Sequence, residues 1–281
     1  MSEITSDHAP SLLPADRQWE LVWHDEFDGA ELDRSKWDFR YHLLQTRCEH
    51  FVGEEGVYLD GKSHLHFKLV RKGDNFYSSQ IQTGSNYLDR PGKTFYTDAD
   101  GETDLHWPIA KFVEPKFLHR YGYYEARCLT QQHAGWWSAF WLQSPTIGCS
   151  PDPRRAGVEV DVMECFTPEA NEVRHNNHWS GYGEDHRHCG SGPRTVDTKE
   201  WHTYGLDWTP ERYVYYIDGK ESWRVEDPVS QTDAFILFSL ECGTYRRNGK
   251  PNPLLFDAAG DEFVVDYVRV YDEVKGGAKN D

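Results

Sequence analysis

Three carboxylates stand inside an apolar, β-branched run near the middle of the chain. The run covers residues 157–164, GVEVDVME, and its acids are Glu159, Asp161 and Glu164. Side chains alternate faces along a strand, so Glu159 and Asp161 share one face and the valines share the other. Strict alternation turns Glu164 towards the apolar face, whereas a β-bulge, which adds one residue to a strand, returns it to the other acids. The sequence therefore predicts a bulged strand with three acids along one wall.

Acids arranged in this way are suited to cleaving a sugar linkage. Two carboxyl groups are the minimum for retaining glycoside hydrolysis, one as nucleophile and the other as acid and then base. The acid needs a raised pKa and the nucleophile an ordinary or lowered one. A third carboxyl between them, here Asp161, can share protons and hold the two pKa values apart. The alternative is a half-solvated strand whose alternate charges simply face water.

Composition indicates the class of partner. Aromatic residues make up 15% of the 281 residues, including 11 Trp and 16 Tyr, and exposed flat rings commonly bind the C–H faces of sugars. The formal net charge of −17 repels nucleic-acid phosphates and anionic membranes. We therefore expect a polysaccharide or oligosaccharide partner, no nucleic acid, no membrane insertion, and a monomer.

The apolar runs, the first residues and the lack of linkers bear on export and on domain organisation. No apolar run approaches the length of a membrane span, and residues 1–14 have neither the charged nor the apolar region of a signal peptide. We expect a secreted or periplasmic protein if a signal peptide was removed, and a cytoplasmic one that acts on imported fragments otherwise. No repeat or linker divides the chain, so the expected organisation is a flexible N-terminal segment at 1–16, a single catalytic domain at 17–273 and a C-terminal tail at 274–281.

Strand signals dominate the sequence, and helical periodicity is nearly absent. Strands are predicted around residues 64–69, 121–129, 234–240 and 263–271. A hairpin is predicted where residues 213–217 meet Asp218-Gly219 and return through 222–224, because Asp-Gly suits a tight turn with positive φ. Many short strands separated by turns predict an all-β fold, an antiparallel two-sheet β-sandwich or jelly roll with a concave substrate cleft. The six cysteines follow no metal-ligand spacing, and both buried thiols and disulfides stay open.

Several segments together resemble glycoside hydrolase family 16, in particular its bacterial laminarinase and galactanase group. The matching segments, in chain order, are LVWHDEFDG at 21–29 with LDRSKW at 32–37, GYYEAR at 122–127, GWWSAFWL at 135–142, the acid run, WHTYGLDW at 201–208 and VDYVRVY at 265–271. The resemblance spans nearly the whole chain, and the six residues from Glu159 to Glu164 match the bulged form of the family's acid motif. It implies a retaining enzyme with Glu159 as nucleophile, Asp161 as assisting acid and Glu164 as general acid/base.

The resemblance also implies binding residues. Trp137 and Trp141 share strand parity, and the family pattern assigns them to the cleft, while Trp136 and Phe140 enter the core; core packing is the alternative for the first pair. His178 and Trp179 fall where relatives carry subsite residues. No cofactor is implied for catalysis, but a structural calcium ion is, with Asp266 and Glu26 as its acidic ligands and a surface salt contact as the alternative.

Four histidines that lie close together in the sequence suggest a metal site. His175, His178, His186 and His188 lie close in sequence and could hold zinc, but they lack the fixed spacing of metal motifs. Two departures from the family pattern affect the substrate. Ser138 replaces the usual proline after the cleft tryptophan, and a charged loop at 149–156, with Arg154 and Arg155, replaces a Trp-Pro-rich approach to the acids.

The function expected is therefore a retaining endo-acting glycoside hydrolase that cleaves internal β-linkages of a polysaccharide of β-1,3-glucan type. An endo-β-galactanase acting on algal or host glycans is the alternative substrate class. A non-catalytic, lectin-like carbohydrate-binding domain is the alternative from a different class, since the same sandwich serves sugar binding alone. A transglycosylase, in which an acceptor sugar takes the place of water, is a third possibility.

Overall fold

The fold is known from a computed structural model. It describes residues 4, 8–40, 51–52, 54–73, 75–87, 112–181, 184–242, 246–247, 250–251 and 258–274. Within these ranges no helix has the length and apolar character needed to cross a bilayer. The thiols of Cys128, Cys149, Cys165 and Cys189 are not in disulfides, whereas Cys48 lies outside the described residues.

Strands make up most of the described chain. The first eleven are β1 (Trp19–Asp25), β2 (Asp38–Phe39), β3 (Phe51–Val52), β4 (Val57–Leu59), β5 (Leu65–Lys68), β6 (Val70–Lys72), β7 (Asn75–Gln82), β8 (Asn86–Tyr87), β9 (Phe112–Val113), β10 (Gly122–Leu129) and β11 (Trp136–Gln143). The others are β12 (Glu159–Thr167), β13 (Glu172–Trp179), β14 (Arg187–Gly190), β15 (Arg194–Thr195), β16 (His202–Trp208), β17 (Tyr213–Ile217), β18 (Lys220–Val225), β19 (Phe235–Cys242), β20 (Arg246–Arg247), β21 (Lys250–Pro251) and β22 (Glu262–Glu273). Helical structure among the described residues is limited to α1 (Pro153–Ala156) and a 3₁₀ turn at Pro168–Ala170.

Two antiparallel sheets form the sandwich. The cleft sheet, as we call the one that carries the acid run, has the strand order β14-β13-β12-β11-β19-β7-β2. The support sheet has the order β18-β17-β16-β10-β22-β5-β4, with β1 also paired to β22. This architecture confirms the predicted all-β, two-sheet jelly roll. The predicted Asp-Gly hairpin is β17–β18, and both Asp218 and Gly219 have positive φ, 51° and 71°.

The core lies between the inner faces of the two sheets. Four phenylalanines contact one another across it: Phe140 stacks on Phe238 at 5.1 Å, Phe238 lies 6.3 Å from Phe263, and Phe263 stacks on Phe67 at 5.5 Å. The first two rings belong to the cleft sheet and the last two to the support sheet. Because all four are fully buried, replacing any of them with Ala should cost roughly 3–5 kcal/mol.

Two residues of the predicted flexible segment at 1–16 make hydrogen bonds with the support sheet. The N–H of Leu12 donates to Glu125 Oε2 at 2.9 Å, and Arg269 Nη1 donates to the carbonyl of Ala9 at 2.9 Å. Glu125 and Arg269 are both buried in the support sheet, so their polar groups need partners. The segment around residues 9–12 supplies them and is thereby anchored to the outer face of this sheet.

Candidate active site

The acid strand β12 contains the predicted bulge. Its pairing with β11 runs from Phe140 opposite Met163 to Trp141 opposite Asp161, so β12 carries one extra residue, Val162, at this point. Val162 and Met163 consequently both lie in the core. Glu164 is thereby returned to the face of Glu159 and Asp161, and all three line one cleft. The bulge argument from the sequence is confirmed.

The cleft is a partly open cavity of about 280 Å³ above the middle of the cleft sheet. Carboxylates, rings and amides share its surface. Its lining residues are Trp137, Ala139, Trp141, Glu159, Asp161, Glu164, Phe166, Asn176, His178, His186, Ser239 and Glu241. Arg154 and Arg155, from the charged loop that departs from the family pattern, are exposed on α1 and are not among these lining residues.

Glu164 has the environment of a proton donor. Its side chain is only 7% exposed, and burial, followed by the nearby charge of Asp161, raises its pKa well above the usual value of a glutamate. The Nδ2 of Asn176 donates to Glu164 Oε2 at 2.5 Å and, with His178, acts in the opposite direction without reversing the shift. A carboxyl with a raised pKa holds its proton near neutral pH and can deliver it to a leaving group.

Glu159 is held by a chain of hydrogen bonds from the opposite side. The Nε2 of Gln143 donates to Glu159 Oε2 at 2.6 Å, and Gln143 Oε1 accepts from Arg40 Nη2 at 2.6 Å. Because the guanidinium can only donate, it fixes the amide so that its NH₂ group faces Glu159. Arg40 itself lies 5.1 Å from the ring of Trp141. The chain fixes Glu159 as a hydrogen-bond acceptor, which suits a nucleophile.

Asp161 lies beside a stack of imidazoles on the β13–β14 hairpin. His178 Nε2 is 3.4 Å from Asp161 Oδ2, and His178 Nδ1 is 2.9 Å from His186 Nε2. The rings of His178, His186 and His188 stack at 5.1 to 5.9 Å. Burial, then the neighbouring His178 and His188, lowers the pKa of His186. His186 therefore favours the neutral form and can exchange a hydrogen bond with His178 at the rim of the cleft.

His175 lies on the other face of β13 and supports the bulge from behind. Its Nδ1 lies 2.6 Å from the carbonyl oxygen of Val162, the extra residue, and its Nε2 lies 2.9 Å from Ser222 Oγ. A carbonyl only accepts, so Nδ1 carries the proton and Nε2 accepts from the serine. Burial lowers the pKa of His175 to about 4, which keeps it neutral. The four histidines considered as a zinc set are therefore divided between two faces.

The tryptophans of the cleft sheet lie on the faces that strand alternation gives them, and the predicted position of one of them, Trp179, is corrected. Trp137 and Trp141 line the cleft, and Trp136 and Phe140 lie in the main core, as predicted. The Nε1 of Trp141 donates to Ser239 Oγ at 3.1 Å, which fixes this ring in the cleft floor. Trp179, expected at a subsite, instead packs against the main core. The reason is alternation: if His178 faces the cleft, its neighbour on β13 must face the other way.

Several cleft residues were missed by reasoning from sequence. Asn176 shares parity with His178 and could have been found by extending that argument along β13. Glu241, which accepts from Gln80 Nε2 at 2.5 Å, shares parity with Ser239 on β19. Gln143 carries no local signal, because its importance depends on the pairing that sets it beside Glu159.

The two acids expected to bind calcium are engaged by cations of the protein. Arg269 donates to both oxygens of Glu26 at 2.9 and 2.7 Å, and Arg127 Nη1 donates to Asp266 Oδ2 at 2.6 Å. His8 Nδ1 lies 3.2 Å from the second oxygen of Asp266. A calcium ion requires carboxylates that are free to turn towards it, so this arrangement does not fit Glu26 and Asp266 as its ligands. Structural calcium stays a prediction from the resemblance alone.

Comparisons with known proteins place the chain in a family. A family model described as Glycosyl hydrolases family 16 matches residues 93–240. The endo-1,3-1,4-β-glycanase EglC of Rhizobium meliloti is 33% identical over 156 residues, which are 55% of this chain and 31% of that protein. The chain thus spans about a third of the length of this relative. A β-glucanase of Rhodothermus marinus is 26% identical over 93% of this chain and 90% of its own length.

Solved structures share the fold. SCLam, described as a non-specific endo-β-1,3(4)-glucanase, has a TM-score of 0.66 at 18% identity, covering 95% of both chains. The laminarinase of Rhodothermus marinus also has a TM-score of 0.66, at 23% identity, covering 92% of this chain and all of the other. The family model covers the acid strand and most of the cleft sheet, including β11, β12 and β13. The chain belongs to glycosyl hydrolases family 16.

Proposed function

We propose that this protein is a retaining endo-β-glucanase that cleaves internal linkages of a β-1,3-glucan type polysaccharide. The observation that carries the proposal is the bulge at Val162, which sets Glu159, Asp161 and Glu164 on one wall of the cleft. Their environments differ as the chemistry requires: Glu164 has a raised pKa, whereas Glu159 accepts from an oriented amide. A lectin would have no use for this difference.

The reaction proceeds in two displacements. Glu159 attacks the anomeric carbon while the bond to the leaving oxygen breaks, and Glu164 gives its proton to that oxygen. A glycosyl ester on Glu159 results. Glu164, now ionised, takes a proton from water, whose oxygen attacks the anomeric carbon and releases Glu159. Asp161 favours the first step because its charge helps keep Glu164 protonated.

A glucan substrate is supported by the rings of the cleft and by the relatives. Trp137 and Trp141 offer flat apolar surfaces beside the acids, which match the C–H faces of pyranose rings. The relatives compared above are named as an endo-1,3-1,4-β-glycanase and a β-glucanase, and the second name favours glucan over the galactan alternative. One chain supplies the cleft and its acids, so we also infer that the protein acts as a monomer, which light scattering would test.

Product analysis on a panel of polysaccharides tests this function. Laminarin and mixed-linkage β-glucan should yield a ladder of oligosaccharides at early times, whereas agarose, carrageenan and porphyran should stay intact. Glu159→Gln and Glu164→Gln should each abolish cleavage while the melting temperature stays near wild type. Binding of laminarin without cleavage by the wild type would instead support the lectin alternative. Longer products formed in the presence of acceptor sugar would indicate a transglycosylase.

A further inference from the structure

A second cluster of ligand-type side chains lies on the support sheet, on the β4–β5 hairpin. Asp60 follows β4, His66 lies within β5, and His64 precedes β5 by one residue on the same face as His66. Asp60 Oδ2 lies 3.0 Å from His64 Nδ1 and 3.5 Å from His66 Nε2. One atom from each of the three residues lies within 4.8 Å of the other two. The cluster belongs to the opposite sheet from the acids and takes no part in the proposed reaction.

A second carboxylate fixes the orientation of His66. Glu262 Oε2 lies 2.8 Å from His66 Nδ1, and Glu262 Oε1 accepts from the hydroxyl of Tyr58, whose ring stacks on His66 at 4.7 Å. Since a carboxylate accepts, Nδ1 carries the proton and Nε2 of a neutral ring presents its lone pair. This Nε2 is buried and has no hydrogen-bond partner among the described residues. A histidine held by a carboxylate through one nitrogen, with the other free to bind, is the usual arrangement of a metal ligand.

Asp60 directs one of its carboxylate oxygens towards the two imidazoles. Its Oδ1 accepts from the backbone N–H groups of Lys62 at 2.7 Å and His64 at 3.1 Å, which leaves Oδ2 facing the two imidazoles. This oxygen lies 3.5 Å from His66 Nε2. A cation placed between Oδ2 and an unprotonated Nε2 would be attracted by both atoms.

We propose that Asp60 Oδ2, His64 Nδ1 and His66 Nε2 bind a divalent transition-metal ion, with zinc as the best match. Tetrahedral zinc with bonds of about 2.0–2.2 Å places its ligand atoms roughly 3.3–3.5 Å apart, and Asp60 Oδ2 lies close to these distances from His64 Nδ1, at 3.0 Å, and from His66 Nε2, at 3.5 Å. Two imidazoles and one carboxylate form a donor set that suits zinc better than it suits calcium or magnesium. A water molecule would complete the tetrahedron. Through Glu262 the ion would link the edge hairpin to the central strand β22.

Direct binding of metal to the full-length protein tests the site. After treatment with a chelator, the wild type is titrated with Zn²⁺ by calorimetry, and Co²⁺ is added separately to record its visible spectrum. We expect one Zn²⁺ per chain at this site and an intense tetrahedral Co²⁺ spectrum, with a higher melting temperature in the presence of Zn²⁺. His66→Gln and Asp60→Asn should each weaken Zn²⁺ binding at least tenfold. The second variant keeps an oxygen for the backbone N–H groups, so it should still fold.

Two controls make the result specific. His202→Gln removes a histidine that contacts a single carboxylate, Asp218, at 2.7 Å, and should leave Zn²⁺ binding unchanged. His178→Gln removes the central ring of the cleft stack and should also retain this Zn²⁺ site. The proposal is overturned if the wild type does not bind Zn²⁺, if Asp60→Asn binds as tightly as wild type, or if only His178→Gln loses binding. The first outcome would mean that Asp60 and His66 interact with each other directly and hold no metal ion.

Discussion

At the scale of single residues, the roles of Glu159 and Glu164 can be separated by chemical rescue. Glu164→Ala should slow hydrolysis of poor leaving groups far more than that of activated aryl glycosides, because an acidic phenol departs without a proton. Azide should partly restore its turnover and give a β-glycosyl azide. Azide added to Glu159→Ala should give the α-azide instead, because it replaces the nucleophile on the opposite face. The anomeric configuration of each glycosyl azide is determined by NMR. An α-azide from Glu164→Ala and a β-azide from Glu159→Ala would exchange the roles of the two glutamates.

Two neighbours of Glu164 should move its pKa in opposite directions. Glu164 must be protonated to act as an acid, so kcat/KM should fall as pH rises through its raised pKa. Asp161→Asn removes a charge that raises this pKa, so the alkaline limb should move to lower pH. Asn176→Ala removes a hydrogen bond that lowers the pKa, so the limb should move to higher pH. Profiles between pH 5 and about 10 would test this, and shifts in the same direction would contradict the assignment.

At the scale of the strand, the position of Glu164 depends on the bulge that His175 supports. His175→Asn keeps an N–H donor near the position of Nδ1 and should retain the bond to the Val162 carbonyl. His175→Gln places its amide nitrogen near Nε2 and should lose that bond. We expect kcat of the second variant to fall by on the order of a hundredfold, since small displacements of catalytic groups cost this much, with KM little changed. Rescue of kcat by Asn but not by Gln distinguishes positioning from simple packing.

The same histidine should make the stability of this region depend on pH. His175 has a folded pKa of about 4 and an ordinary value near 6.5 when unfolded. Between these pH values the unfolded chain binds one more proton at this histidine than the folded protein does. The stabilisation that comes from the neutral, buried His175 is therefore fully present above pH ~6.5 and declines as the pH falls towards 4. Below pH 4 the free energy of unfolding no longer changes with pH through this group. The loss amounts to about 3 kcal/mol. Denaturant unfolding of wild type and His175→Asn at pH 7 and 4.5 should show a smaller decline in the variant; equal declines would contradict the assignment.

At the scale of the whole molecule, the N-terminal residues stabilise the sheet that lies behind the site. Deleting residues 1–12 removes Leu12 and Ala9 as partners of the buried Glu125 and Arg269. Each buried polar group left without a partner costs about 1–3 kcal/mol, so the melting temperature should fall by several degrees. Turnover at 25 °C should be retained, because the acids lie on the other sheet. Deletion of residues 1–7 keeps both contacts and is the matched control; equal melting temperatures of the two deletions would refute this role.

The sequence by itself determined what depends on local periodicity. Period-two alternation was enough to divide Trp137 and Trp141 from Trp136, and to show that Glu164 joins the other acids only through a bulge. The Asp218-Gly219 turn was equally local, since two residues with positive φ define it. These features need no knowledge of the rest of the chain, and the structure confirms each of them.

Tertiary structure decided which side chains meet. Gln143 supports Glu159, Asn176 binds Glu164, and His175 holds the bulge, in each case because two strands pair in one register. Alternation along β13, by contrast, is local, and it sets Trp179 on the face opposite to His178, against the core. Asp60 and Glu262 lie about two hundred residues apart in sequence, yet both reach His66. Contacts of this kind depend on the pairing of distant strands, which no local pattern of residues specifies.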